Sequence, residues 1–122
     1  MALGDRDFDK LTKNIEKLYP GLIDDVLQKQ LAEHPDNPLA LLRLAITYDR
    51  LNKYGEAIEM YEKALLLGES DAIALNNCAW LLVTAPDMEL RNPIRAIELA
   101  EKAVAMERSP SNLNTLAEAY YG

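Results

Sequence analysis

The chain has 122 residues, which is the length of one domain, and its 20 acidic and 13 basic residues give a net charge of −7. This charge disfavours binding to nucleic acids and to anionic membrane surfaces. The single cysteine, Cys78, excludes an internal disulfide, and no apolar run approaches the roughly 20 residues of a membrane span. Because Leu and Ala far outnumber Val, Ile and Thr, we expect one all-α domain over residues 1–122. From the negative charge and the lack of a signal or membrane-spanning segment, we expect a cytoplasmic protein without nucleic-acid or membrane contacts.

Two helices are predicted at the start of the chain, over residues 5–19 and 22–34. Each carries apolar residues at the spacing of an amphipathic helix, and Pro20-Gly21 separates the two stripes. The stripes consist of Phe8, Leu11, Ile15 and Leu18 in the first helix and of Leu22, Ile23, Val26, Leu27 and Leu31 in the second. The sequence therefore predicts a degenerate repeat or a capping helix pair over residues 5–34.

The acidic residues of the first helix have the spacing of a calcium-binding loop. The matching residues are Asp5, Asp7, Asp9 and Glu16, at positions 1, 3, 5 and 12 of that loop. Lys10 stands where the loop needs Gly for its sharp turn, and a loop here would destroy the shared face of the apolar stripe. We therefore predict an acid-rich helix start, which the helix dipole favours, and neither a metal ion nor another cofactor.

A set of four residues recurs twice along the rest of the chain. Leu41, Leu44, Ala45 and Tyr48 are followed 34 residues later by Leu75, Cys78, Ala79 and Leu82, and 38 residues after that by Leu113, Leu116, Ala117 and Tyr120. A second set, Ala57, Tyr61 and Ala64, returns 39 residues later as Ala96, Ala100 and Ala103. The larger offset of the second set places five extra residues between Leu82 and Ala96, where two prolines indicate a lengthened turn.

The recurring sets follow helical spacing and predict helices over residues 38–51, 54–67, 72–84, 93–107 and 111–121. Ala45 and Ala57 are small enough to let two helices approach closely, whereas Tyr48 and Tyr61 fill the space between neighbouring pairs. Self-similarity at a period of this length is typical of helical repeat arrays.

The unit at residues 38–71 resembles the tetratricopeptide repeat, whose pattern is a large residue, Leu-Gly, Tyr, Ala-x3-Phe and a later Pro. Ala45 and Ala79 stand at the Gly position, Tyr61 and Ala100 at the Phe position, and Glu69 at the Pro position. The resemblance implies an α-α superhelix, a solenoid of about three helix pairs plus an unpaired last helix. Residues 38–71 form one repeat in this interpretation, residues 72–109 a repeat with a five-residue insertion, and residues 110–122 an incomplete repeat.

No residue pattern predicts catalysis. His34 stands beside Pro35 at the end of a predicted helix, where a cation or a capping donor is favoured. Cys78 occupies a position that the repeat pattern buries, where a cysteine behaves as a small hydrophobic residue. Glycines are too scattered for a phosphate-binding loop, and no nucleophile has a base at a recognisable spacing. We therefore expect a protein that is not an enzyme.

The resemblance implies that a peptide or another protein binds in the concave groove formed by the first helix of each pair. The family's groove positions correspond in this chain to Leu39, Leu42, Arg43, Ile46 and Asp49, then to Ile73, Asn76, Asn77, Trp80 and Val83, and finally to Ser111, Asn114, Glu118 and Tyr121. Among these we expect the partner to contact Leu42, Arg43, Ile46, Asp49, Asn76, Asn77, Trp80 and Val83. The residues with which some family members hold a terminal carboxylate are not matched, since Asp9, Lys13, Arg43, Ile73 and Asn77 stand at those positions. We therefore do not expect binding to chaperone tails.

Trp80 is the predicted anchor for the partner, and the alternative is that it packs beneath the inserted turn. The leading hypothesis for function is a non-enzymatic scaffold that binds a peptide or helix of a partner protein. One alternative is self-assembly into a homo-oligomer through the groove and the unpaired last helix. Another is an accessory repeat domain of a larger enzyme or signalling protein.

Overall fold

A computed structural model describes residues 5–68 and 71–122, and within these ranges the chain is entirely helical, with no strands. Seven α-helices run in the order α1 (Asp5–Leu18), α2 (Leu22–Glu33), α3 (Pro38–Arg50), α4 (Tyr54–Leu66), α5 (Ala72–Thr84), α6 (Pro93–Met106) and α7 (Pro110–Tyr121). A single 3₁₀ turn, Met88–Leu90, precedes α6. The predicted all-α fold is confirmed, and each helix ends within one residue of its predicted bounds.

Local sequence fixes where the helices begin. The side chain of Asn37 accepts hydrogen bonds from the backbone N–H groups of residues 39 and 40, and Asn92 and Ser109 each cap a helix in a similar way. A proline follows each of these three caps, at the first helical position, where a backbone N–H would have no acceptor within the helix. Asp71 caps α5 by accepting from the N–H of Ile73.

The turn from α3 to α4 depends on one left-handed residue. Asn52 has a φ of 62°, which asparagine tolerates better than most residues. Its backbone N–H donates to the carbonyl of Asp49, and the N–H of Lys53 donates to the carbonyl of Tyr48. This pair of bonds satisfies the last carbonyls of α3 and lets α4 begin two residues later.

The core lies between successive helices from α3 to α7, with the closest packing in the pairs α3–α4 and α5–α6. Seven alanines of the recurring sets have no exposed surface, which lets the helix backbones approach closely: Ala45, Ala57, Ala64, Ala79, Ala96, Ala100 and Ala103. The larger side chains of Leu41, Tyr61 and Leu99 fill the remaining space and are also fully buried. The arrangement is repeat-like, as the recurring residues predict.

Helices α1 and α2 pack on this core less completely. In α2 only Leu27 is fully buried, and in the predicted stripe of α1 Phe8 and Ile15 are half-buried while Leu11 and Leu18 are exposed. Phe8 nevertheless contacts α3, because the guanidinium of Arg50 lies 4.0 Å from the centre of its ring. The acidic segment at residues 5–16 is helical, as predicted.

The last helix buries a different face from its counterparts. Leu113 and Tyr120 are 39% and 54% exposed, whereas the equivalent Leu41 and Tyr48 of α3 are 0% and 3% exposed. The reason is that α4 covers α3 and α6 covers α5, while no described helix follows α7. What α7 buries instead is Asn112, Thr115 and Ala119.

Residues 85–92 form the lengthened turn between α5 and α6. The N–H of Asn92 donates to the carbonyl of Leu82, and Arg91 Nε donates to the carbonyl of Ala85, so the turn is folded back on α5. Leu90 lies against Gly55 in the first turn of α4. Glu69, which stands at the proline position of the repeat pattern, lies outside the described residues. None of the helices in the described ranges has the length and apolar character needed to cross a membrane.

Candidate partner-binding surface

Trp80 lies at the centre of a surface formed by α3, α5 and α7. On one side, α5 and α7 enclose a cavity of about 250 Å³ that is lined by Asn76, Asn77, Trp80, Ser111, Asn114 and Thr115. On the other side, a cavity of about 190 Å³ separates Trp80 from Asp49 and Tyr54. We call the residues Asp49, Asn76, Asn77, Trp80, Ser111 and Asn114 the Trp80 surface.

The indole of Trp80 is accessible to a partner. The residue is 39% exposed, although it is the largest side chain of a helix that is otherwise mostly buried. It stands close to Ala85 and Pro86, where the inserted turn begins, and it lines both cavities. The site therefore offers an exposed indole ring with a cavity on either side.

Side-chain amides lie beside the Trp80 indole. Asn76 Nδ2 donates to Ser111 Oγ at 3.3 Å and thereby joins α5 to α7. Asn77 Nδ2 donates to the hydroxyl of Tyr61, also at 3.3 Å. Burial raises the pKa of Tyr61 to about 12, so this hydroxyl keeps its proton at neutral pH. The buried Oδ1 of Asn76 has no hydrogen-bond partner among the described residues.

Asp49 supplies the only charge among the residues that line the two cavities. It is half-buried, and this burial raises the pKa of its carboxyl group above the ordinary value of 3.8. A carboxylate in such a position favours a cationic group or an N–H donor of the partner, because these groups compensate its lost hydration.

The structure brings together only some of the residues that the sequence predicts for the groove. Asp49, Asn76, Asn77 and Trp80 lie around the two cavities. Arg43 instead lines a separate cavity of about 400 Å³ at the junction of α2 and α3.

The three remaining aliphatic residues of the predicted set offer little surface. Leu42 is buried in the core, and Ile46 and Val83 are half-buried and pack against it. Their proposed part in partner binding stays a prediction.

Sequence reasoning did not place Tyr54, Thr84 and Thr115 at this site, yet all three line one of the cavities. Thr84 follows Trp80 by one helical turn, and its hydroxyl donates to the Trp80 carbonyl at 2.7 Å. The spacing of four residues was therefore a usable signal for Thr84. Tyr54 belongs to the other helix of its pair, and only the packing of α4 against α5 brings it here.

Cys78 and His34, the two residues considered for reactive chemistry, both lie in positions that serve the fold. Cys78 is fully buried, and burial raises the pKa of its thiol to about 12, so the nucleophilic thiolate is suppressed at neutral pH. His34 is exposed and terminates α2, where its backbone N–H donates to the Gln30 carbonyl. Within the described ranges, no group of three or more His, Cys, Asp or Glu side chains is placed to hold a metal ion.

Helices that stack pairwise through small residues define a helical repeat protein. A family model described as the tetratricopeptide repeat matches residues 38–71. These residues are thus a tetratricopeptide repeat, which confirms the resemblance seen in the sequence, and the helices around them are consistent with further repeats of this kind. Searches among curated proteins and among solved structures found no significant match to the chain. Repeats of this family are generally non-enzymatic and mediate contacts between proteins.

Proposed function

We propose that this protein is a non-enzymatic scaffold that binds a peptide or helix of a partner protein at the Trp80 surface. The observation that carries the proposal is the half-exposed indole between two recesses. A large aromatic side chain that is left accessible amid amide groups has the composition of a binding hot spot.

The chemistry of the surface indicates what the partner presents. An apolar side chain of the partner packs on the indole and enters one of the recesses, which removes apolar area from water. The amides of Asn77 and Asn114 donate to and accept from the partner's backbone, and Asp49 attracts a lysine or arginine. We therefore expect a segment with one apolar residue close to a basic one.

Peptides selected by phage display on the immobilised protein provide the test. The chain has one tryptophan, so intrinsic fluorescence of the unsubstituted protein reports binding near Trp80, and isothermal titration calorimetry measures the dissociation constants of all variants. For peptides selected in this way, Trp80→Ala is expected to raise the dissociation constant about 30-fold or more, as for a hot-spot residue worth about 2 kcal/mol. Leu39→Ala is the control, because Leu39 is an exposed apolar residue outside both cavities.

Equal losses for the two variants would contradict the proposal, and so would peptides whose binding leaves the Trp80 fluorescence unchanged. The folded state of each variant is verified by its helical circular dichroism before binding is measured.

A second candidate function, self-association, is favoured by the exposed face of α7. Leu113, Ala117 and Tyr120 are exposed although their counterparts in α3 and α5 are buried beneath a following helix. A helix of a second copy covers this face in the self-association hypothesis. In that case analytical ultracentrifugation over a concentration series shows a dimer that Leu113→Gln abolishes. A monomer at all concentrations would reject the self-association hypothesis.

A further inference from the structure

The cleft between α4 and α6 changes character along its length. At the start of α4, Leu90 of the inserted turn lies against Gly55, with its methyl carbons 3.7 and 3.9 Å from the point where a Cβ would stand. Two turns later, Arg95 of α6 holds Glu62 of α4 through its Nη2 and Nε, at 3.0 and 3.2 Å. The boundary between the two helices is thus closed first by a leucine and then by an ion pair.

Beyond this ion pair the cleft opens. A cavity of about 750 Å³ lies there, and its apolar lining is Leu65, Leu66, Leu75, Leu99, Ala105 and Met106. We call it the α4–α6 trough. Leu75 and Leu99 are buried and form its floor, whereas Leu66 at the rim is 86% exposed and Met106 is also exposed. A concave apolar surface with an exposed apolar rim is typical of a binding groove.

Three charged side chains line the trough, Glu62, Arg95 and Lys102. The carboxylate of Glu62 is satisfied by Arg95, which also contacts Glu98 at 3.4 Å. Lys102 lines the trough as well, and it has no ion-pair or hydrogen-bond partner among the described residues. A negative group of an occupant would therefore meet a cation here, in a protein whose net charge is otherwise strongly negative.

We propose that the α4–α6 trough binds an amphipathic helix of a partner protein, with an apolar stripe on the floor and an acidic side chain at Lys102. The trough is open along one side, so an occupant needs a polar outer face of its own, which an amphipathic helix has. From Arg95 to Met106 the trough runs for about 16 Å along α6, enough for apolar residues at i, i+4 and i+7.

This site is separate from the Trp80 surface. It lies between the second helices of two successive pairs, whereas the Trp80 surface is built on the first helices, and the two share no lining residue. The proposal therefore does not depend on partner binding at Trp80.

Fluorescence anisotropy with three synthetic 16-residue peptides tests the proposal on the full chain. Each peptide carries an N-terminal fluorescein, one stripe of Leu, Met or Phe at i, i+4, i+7 and i+11, and Glu and Gln elsewhere. A control peptide has the same composition as the leucine peptide with the stripe scattered. We expect saturable binding of at least one striped peptide and none of the scattered control.

Variants of exposed side chains locate the bound peptide without unfolding the protein. Leu66→Gln is expected to raise the dissociation constant at least about tenfold, because it removes a leucine from the rim. Ile94→Gln is the matched control, since Ile94 is 81% exposed on α6 but does not line the trough. Lys102→Gln should weaken binding about 2- to 5-fold, and this loss should vanish for a peptide whose Glu residues are replaced by Gln.

Absence of saturable binding by all three striped peptides would overturn the proposal, as would equal losses for Leu66→Gln and Ile94→Gln. Trp80→Ala separates the two sites. Binding that survives this substitution supports the trough, and binding that is lost with it places the helix at the Trp80 surface instead.

Discussion

The contact between the helices of a pair can be tested by enlarging one alanine. Ala79 of α5 has no exposed surface and occupies the position at which Ala45 stands in α3. Ala79→Leu adds three carbon atoms where neighbouring alanines already bring the helices together, so either the helices separate or the leucine adopts a strained rotamer. Overpacking of this kind costs about 1–3 kcal/mol in the free energy of unfolding. For a chain of this length that corresponds to a fall in melting temperature of about 4–12 °C.

The repeat provides a matched control for this substitution. Ala117 of α7 is the third member of the same set, but it is exposed, because no described helix covers that face. Ala117→Leu should therefore change the stability by less than about 0.5 kcal/mol. Urea and thermal unfolding followed by circular dichroism measure both variants. An unchanged midpoint for Ala79→Leu, or an equal loss for Ala117→Leu, would refute the proposed register of the repeats.

Three further predictions concern single side chains. Cys78 should resist thiol reagents at pH 8 in the folded protein and react after unfolding. Burial raises the pKa of its thiol from 9.0 to about 12, so the stability that the buried neutral thiol contributes is complete below pH 9 and is lost as the pH rises towards 12. Asn112→Ala should cost about 1–3 kcal/mol, since its Nδ2 donates to the backbone carbonyls of Ala103 in the last turn of α6 and of Glu107 just after that helix. Asn114→Ala should be nearly neutral in urea unfolding. Trp80→Ala should lower the free energy of unfolding by less than the 3–5 kcal/mol typical of a buried aromatic residue, and a larger loss in the same assay would mean that Trp80 serves the core.

The candidate site was predictable only in part. The helical register placed Asn76, Asn77 and Trp80 on one face of α5, because Asn77 and Asn76 precede Trp80 by three and four residues, the spacings of neighbours on a helix face. It could not show that Arg43 lies at the α2–α3 junction, since the direction of a long side chain depends on the helices that surround it. Leu42 was assigned to the groove by the same register, yet the packing of α3 buries it.

The sequence by itself determined the helices and the repeat. Helix starts such as Asn37-Pro38 and Asn92-Pro93 are local, because a side-chain cap and a fixed proline φ act within one turn of the chain. The recurring alanines identified the close helix contacts for a similar reason, since only small residues allow them.

Only the tertiary structure decided which of the equivalent faces are covered. Leu41 and Leu113 occupy the same repeat position, but burial depends on whether another helix lies above, and α4 covers Leu41 while no described helix covers Leu113. The α4–α6 trough is likewise invisible in the sequence. Its side chains come from α4, α5 and α6, and the Arg95–Glu62 ion pair at its edge joins residues 33 positions apart in the chain. Such surfaces depend on contacts that are distant in sequence, which local propensity does not encode.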